Sequence, residues 1–273
     1  MSDALSYFEY TTLLAFVVFE NCDLIVLEAG LGGEFDATNV CDKDLSVITP
    51  IGIDHQAFLG ETIEEIAATK IRSIQKQDLL APQVYDEVVE VTKQIAQNKG
   101  AVLRQAQEPV DTITLAELVE AWPNYLVDNA KVALQALDIM GINYDISDLK
   151  SLELFGRFYA LTENVRIDVG HNPLAAQAIE KALDEKVVLI YNSLDDKEYE
   201  EVLRILKPKI KRVEIIKIDS QRATTLGDIE KAVENVGLEY SYFQNEIDKN
   251  ESYLVFGSFY VVEEFLKRVD VPE

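Results

Sequence analysis

The chain has 273 residues, 48% of them hydrophobic and 27% charged, and its 25 Lys+Arg against 49 Asp+Glu give a formal net charge of −24. That acidic excess argues against a nucleic-acid partner, since phosphate backbones are held by clustered Lys and Arg. The apolar run at residues 13–19 is too short to span a bilayer and has no basic, cleavable leader around it. Two cysteines, Cys22 and Cys41, form no disulfide framework or metal spacing; they read as buried small hydrophobes of a protein in the reducing cytoplasm.

In chain order the pattern predicts a helix over residues 7–21, a strand over 24–28, a glycine turn and a strand over 45–51. A helix over 62–77 follows, with Thr62 as cap, Glu65 three residues on, and Ile63, Ile66 and Ala67 at helical spacing. After a bend at Pro82, helices are expected over 86–98 and 127–140. Beyond residue 151, strands over 165–169, 186–191, 212–218 and 253–256 alternate with helices over 174–184, 198–206, 226–235 and 261–268. Alternation of this kind means βαβ units and largely parallel sheets. Two α/β domains are expected, residues 1–150 and 151–273, with the boundary in the stretch 146–154.

The densest chemistry lies between Asp23 and His55, where a Glu, clustered glycines, an Asp-x-Thr-Asn and an Asp-His pair follow apolar runs. Polar groups just past the carboxyl ends of parallel strands are where α/β sheets bind ligands. On position alone, Glu28 is as well read as a solvated turn residue as a ligand, and His55 as a capping or buried structural residue. Magnesium prefers oxygen donors, so a His is not its obvious partner. Lys70, in the middle of an amphipathic helix, reads as a solvated charge. In the second half Asp168 could be a ribose- or metal-linked carboxylate, His171 a polar contact, and Asn172 a helix cap. Lys197, in the block Asp195-Asp196-Lys197 whose role is left open, reads as an exposed loop charge.

The segments FEYTT, LEAGLGGEFDATN, VITPIGIDHQAFLGETIEEIAATK, NYLVDNAKVALQAL, FGRFYA, DVGHNP, YNSLDDKEYEEVL and FGSFYVVEEF occur in this order between about Tyr7 and Phe265. Together they resemble the folylpolyglutamate synthase / dihydrofolate synthase family, within the ATP-dependent Mur-ligase group. The resemblance implies a Mur-type central parallel-sheet ATPase domain, here incomplete, followed by a Rossmann-like α/β domain. It implies ATP-dependent amide ligation with Mg2+, joining L-glutamate to dihydropteroate or a reduced folate. It makes Glu28 and His55 metal ligands and Lys70 a carbamylated catalytic lysine. Asn129, Arg157 and Asp168 become nucleotide contacts, and His171 a catalytic residue near the reacting phosphate. The chain departs from the pattern at Thr69-Lys70-Ile71-Arg72-Ser73, where the family has Glu-Lys-Ala-Gly-Ile, and at Glu34, where the family commonly has Arg.

The chain has no G-x-x-G-K-S/T loop, the element whose backbone N–H groups and Lys cradle ATP phosphates. The expectation is an N-terminally truncated ligase with weakened ATP binding and little or no turnover, partnered by a separate N-terminal fragment or by itself. The alternatives are a degenerate, non-catalytic binding or scaffold homologue and another Mur-type carboxylate–amine ligase.

Overall fold

A computed structural model describes residues 5–107, 115, 119 and 122–269. The chain divides into two compact units: Met1–Gly52, Gln56–Pro109 and Lys131–Tyr144 in the first, and Ile53–His55, Val110–Ala130 and Asp145–Glu273 in the second. Helices in chain order are α1 (Tyr7–Val18), α2 (Gln56–Leu59), α3 (Ile63–Ile71), α4 (Asp86–Lys99), α5 (Asn124–Met140), α6 (Pro173–Ala182), α7 (Tyr199–Leu206), α8 (Leu226–Asn235) and α9 (Phe259–Arg268). The strands are β1 (Ser46–Ile48), β2 (Gln77–Leu80), β3 (Val102–Gln105), β4 (Tyr159–Ala160), β5 (Val165–Asp168), β6 (Val187–Tyr191), β7 (Ile210–Ile215), β8 (Tyr240–Tyr242) and β9 (Tyr253–Phe256).

The first unit holds a parallel sheet in the order β1-β2-β3, with Ser46 opposite Asp78 and Leu80 opposite Gln105. Helix α3 starts where the sequence places its cap: Thr62 accepts from Glu65 N, and Glu65 reaches back to the Thr62 N–H. It ends at Ile71, six residues short of the expected stop, because residue 77 already belongs to β2. The pairing of β2 between β1 and β3 outweighs local helical periodicity there. Helix α4 stops at Gly100 in the left-handed region, with φ 67°.

Residues 24–28, expected as a strand, are coil. An apolar run becomes a strand only by pairing, and no described residue pairs with it; Leu24, Ile25 and Val26 are exposed. The cysteines also differ from expectation: Cys22 is exposed in the segment after α1, and Cys41 is half-buried behind a short helical turn at Ala37–Val40. No helix among the described residues is long and apolar enough to cross a membrane.

The second unit holds a six-stranded sheet in the order β4-β5-β9-β6-β7-β8, parallel except for the antiparallel β4–β5 pair. All five residues of β6 are buried, which is why it reads as a continuous apolar run. Its side chains alternate between two cores: Val187, Leu189 and Tyr191 pack with α6, α7 and α8 on one face, and Val188 and Ile190 with α9 on the other. Each such aliphatic side chain contributes roughly 1.5–3 kcal/mol by leaving water. Strand β9 therefore sits between β5 and β6 while its following helix lies on the opposite face from theirs. The connections change face at that point, and open α/β sheets bind ligands outside the carboxyl ends of strands at such a point.

Candidate active site

The carboxyl ends of β5, β9 and β6 are brought close by glycine. A Cβ on Gly257, just after β9, would stand 2.0 Å from the Asn192 carbonyl oxygen, and its φ of 134° excludes ordinary side chains. Asn192 in turn donates from Nδ2 to the Ile216 carbonyl at 2.6 Å, fixing the loop that leads to Lys197.

Beside these strand ends lies Asp54, in the Ile53–His55 segment of the same unit. Its Oδ1 accepts from the His55 backbone N–H and from Lys197 Nζ, each at 2.8 Å. Its Oδ2 accepts from Asn172 Nδ2 at 2.9 Å and lies 3.6 Å from His171 Nε2. Burial by itself raises the Asp54 pKa, but the hydrogen bonds from His171, Lys197 and Asn172 and the charge of Lys197 outweigh it and hold the carboxyl far below the ordinary range. Asp54 is thus a fixed anion and a poor proton acceptor near neutrality.

Asn172 does two jobs at once. Its Oδ1 caps α6 by accepting from Ala175 N at 2.9 Å, as the sequence suggests, and this leaves Nδ2 free to point at Asp54. Lys197 is not the exposed loop charge that its sequence context suggests: its side chain is 3% exposed. Its ammonium lies 3.4 Å from His55 Nε2 and 3.6 Å from Asp196 Oδ2, and Arg222 holds the other Asp196 oxygen at 2.8 Å. An ammonium only donates, so His55 Nε2 faces it as an acceptor and the proton of the neutral ring sits on Nδ1. Burial first, then the Lys197 charge, depress the His55 pKa against the opposing pull of Asp54. His55 also has φ 52°, a left-handed conformation uncommon outside glycine, held by the Asp54 bond to its N–H.

His171 has Nδ1 3.3 Å from the Val169 carbonyl, so both of its ring nitrogens face acceptors. Asp168 is 3% exposed and has both oxygens engaged: Oδ1 accepts from Gly170 N at 2.7 Å, and Oδ2 from Phe158 N at 2.8 Å and Tyr125 Oη at 3.0 Å. Burial raises its pKa, partly offset by those three bonds. Its grip on Phe158, whose φ is 48°, shapes the turn that presents Arg157. Arg157 is exposed, with its guanidinium 5.9 Å from the Phe259 ring centroid. Asn129 is exposed on α5.

In the first unit Glu28 is exposed in coil, and no hydrogen bond or ion pair of its side chain is found among the described residues. The glycine turn after it packs on α3: a Cβ on Gly33 would stand 2.5 Å from the Lys70 carbonyl, and Glu34 N donates to Thr69 O at 2.9 Å. Lys70 is half-buried on α3. The two departures from the family pattern meet here, for Arg72 Nη1 pairs with Glu34 Oε2 at 3.2 Å.

The structure therefore gathers His55 and His171 in one cluster. It adds Asp54 and Lys197, which the sequence did not single out as site residues, and separately sets Tyr125 against Asp168. The Asp-His pair and the Asp-Asp-Lys block were visible as motifs; their meeting was not.

Two units built on parallel strands, with polar side chains at the carboxyl end of a face-changing sheet, define an α/β protein with a ligand-binding sheet end. No family model matches it. Among curated proteins it is 30% identical to a dihydrofolate synthase/folylpolyglutamate synthase of Buchnera aphidicola subsp. Schizaphis graminum, over 98% of this chain and 72% of that protein. It is also 30% identical to the Escherichia coli dihydrofolate synthase/folylpolyglutamate synthase, over 98% and 70%. Among solved structures it is 40% identical to Helicobacter pylori folylpolyglutamate synthetase, with TM-score 0.71 over 97% of this chain and 70% of that one. It is 28% identical to Escherichia coli FolC in complex with DHPP and ADP, with TM-score 0.79 over 96% and 70%. The chain belongs to the dihydrofolate synthase/folylpolyglutamate synthase family.

Proposed function

We propose that the chain is an ATP-dependent amide ligase of the type that joins the amine of L-glutamate to the carboxylate of dihydropteroate or a reduced folate, impaired in turnover by the absence of a Gly-Lys-Ser/Thr phosphate loop among its residues. In that reaction a substrate carboxylate oxygen attacks the γ-phosphorus and ADP leaves. The glutamate amine then adds to the acyl carbon, loses a proton, and phosphate departs. The observation that carries the reading is the cluster of Asp54, His55, His171, Asn172 and Lys197 at the carboxyl ends of the sheet, in a chain of this family. A related bifunctional synthase, 25% identical with TM-score 0.76, has been solved with Mn, AMPPNP and L-glutamate bound, which supports nucleotide, metal and glutamate as ligands here.

The residue assignments draw on different support. Arg157 and Asn129 are exposed and available to a nucleotide, whereas Asp168 serves it indirectly by shaping the turn at Arg157. His171 stands beside Asp54 as the candidate group near the reacting phosphate. Lys70 lies under the glycine turn, where carbamylation would turn a cation into an oxygen ligand. Bound Mg2+ would neutralise charge on the transferred phosphoryl group. Glu28 suits it as a free carboxylate; His55, as arranged, does not, because its Nε2 lone pair is aimed at Lys197. No step is therefore routed through a metal on His55.

The test is phosphate release by the 273-residue chain given ATP, Mg2+, L-glutamate and either dihydropteroate or tetrahydrofolate. With no Gly-Lys-Ser/Thr loop among its residues, the expected result is weak nucleotide binding and phosphate release at background. Robust turnover refutes the impairment, and a complete lack of nucleotide binding at millimolar ATP refutes the ligase reading.

A further inference from the structure

Asp54, His55 and His171 each place one donor atom within 4.8 Å of the others, a spacing that would hold a metal ion. The lone pairs such an ion would need are already taken. Lys197 Nζ lies 2.8 Å from Asp54 Oδ1 and 3.4 Å from His55 Nε2, and its side chain is almost fully enclosed. We propose that Lys197 is the built-in cation of this cluster: its ammonium occupies the position between Asp54 and His55 that a divalent ion would take, so the ion and Lys197 bind there in competition.

Three features support this. First, an ammonium and a divalent ion repel, and both ask for the same oxygen and nitrogen lone pairs. Second, the cluster has one carboxylate and two imidazoles, which is too little negative charge to hold both cations. Third, Lys197 is anchored from a second side by Asp196, itself held by Arg222, so the ammonium has an alternative carboxylate 3.6 Å away to which it can retreat. Retreat towards Asp196 would uncover Asp54 Oδ1 and His55 Nε2 together. The inference rests on the ligase reading only in that the family's use of a metal makes the competition relevant; the competition itself is a property of these side chains.

The chain has only two histidines, His55 and His171, and both belong to the cluster. Their imidazole resonances therefore report on it without further labelling. The experiment titrates Mn2+ into the wild-type chain, Lys197→Met and Lys197→Arg, reading free Mn2+ by electron paramagnetic resonance and ring broadening by NMR. Lys197→Met is expected to bind at least tenfold more tightly than wild type and to broaden both rings; adding Asp54→Asn should abolish that gain. Lys197→Arg, which keeps the charge, should bind like wild type. Equal Mn2+ affinity at both rings in wild type and Lys197→Met overturns the proposal, as does a folded Lys197→Met that binds no Mn2+.

Should Lys197→Met fail to fold, the wild-type chain still decides the matter. The His55 Nε2 nitrogen shift should be that of an unprotonated acceptor, and a protonated Nε2 refutes the arrangement. A fluorescent ATP analogue in the same samples separates the two ideas: loss of nucleotide binding with the metal behaviour intact counts against the ligase reading alone.

Discussion

Asp78 sits on the central strand of the three-stranded sheet with 0% exposure, and among the described residues neither carboxylate oxygen has a hydrogen-bond partner. Its register neighbour on β1, Ser46, also has a buried hydroxyl with no partner among the described residues. Burial pushes the Asp78 pKa from 3.8 up to about 7. A raised folded-state pKa means the fold favours the neutral acid, so its stabilising share is fully present below the unfolded pKa and is lost as pH rises through the folded one. Between about pH 4 and 7 the unfolded chain releases the proton while the folded chain keeps it, and stability falls by about 1.4 kcal/mol per pH unit. The gap of roughly three units makes the total loss about 4 kcal/mol, a large part of a typical domain stability of about 5–15 kcal/mol. The assay is urea unfolding followed by backbone circular dichroism from about pH 4.5 to 8.5, comparing wild type with Asp78→Asn. Subtracting the two curves removes the contribution of every other carboxylate, including the general acidic self-repulsion. The variant is expected to gain on wild type steadily up to neutral pH and then hold a constant advantage. A difference that does not change with pH refutes the reasoning.

Asp54→Ala leaves a nearly enclosed Lys197 with only the Asp196 carboxylate, 3.6 Å away, and the melting temperature should drop by the equivalent of about 3 kcal/mol, the low end for breaking a buried pair. Because the Asp54 pKa is depressed, its contribution is present above the unfolded carboxylate pKa and is lost only on strong acidification, so the loss should persist at pH 5. Gly257→Ala drives a methyl into the Asn192 carbonyl at a φ closed to alanine, and the expected cost of about 3 kcal/mol or more would show as a large fall in melting temperature. Thr62→Ala removes the capping box of α3 and should cost about 1 kcal/mol in urea unfolding. Tyr125→Phe leaves Asp168 Oδ2 with Phe158 N alone, a loss of about 1–3 kcal/mol in the same measurement.

Features that depend on neighbours within a few residues were legible before any fold was known. Thr62 with Glu65, and Asn172 with Ala175, are caps whose partners lie three positions away. The continuous apolar run of β6 and the helical spacing of α8 were legible for the same reason, and the colinear motifs carried the family. Features that depend on distant partners emerged only from the folded chain. Residues 24–28 are apolar enough for a strand yet remain coil, while the short β2, β3, β4 and β8 went unread, because a strand is defined by the strand beside it. Lys197 looked like a solvated charge because its environment is set by Asp54, 143 residues earlier. Burial and charge pairing are properties of the space around a side chain, and there the fold turned an ordinary lysine into the cation at the centre of the site.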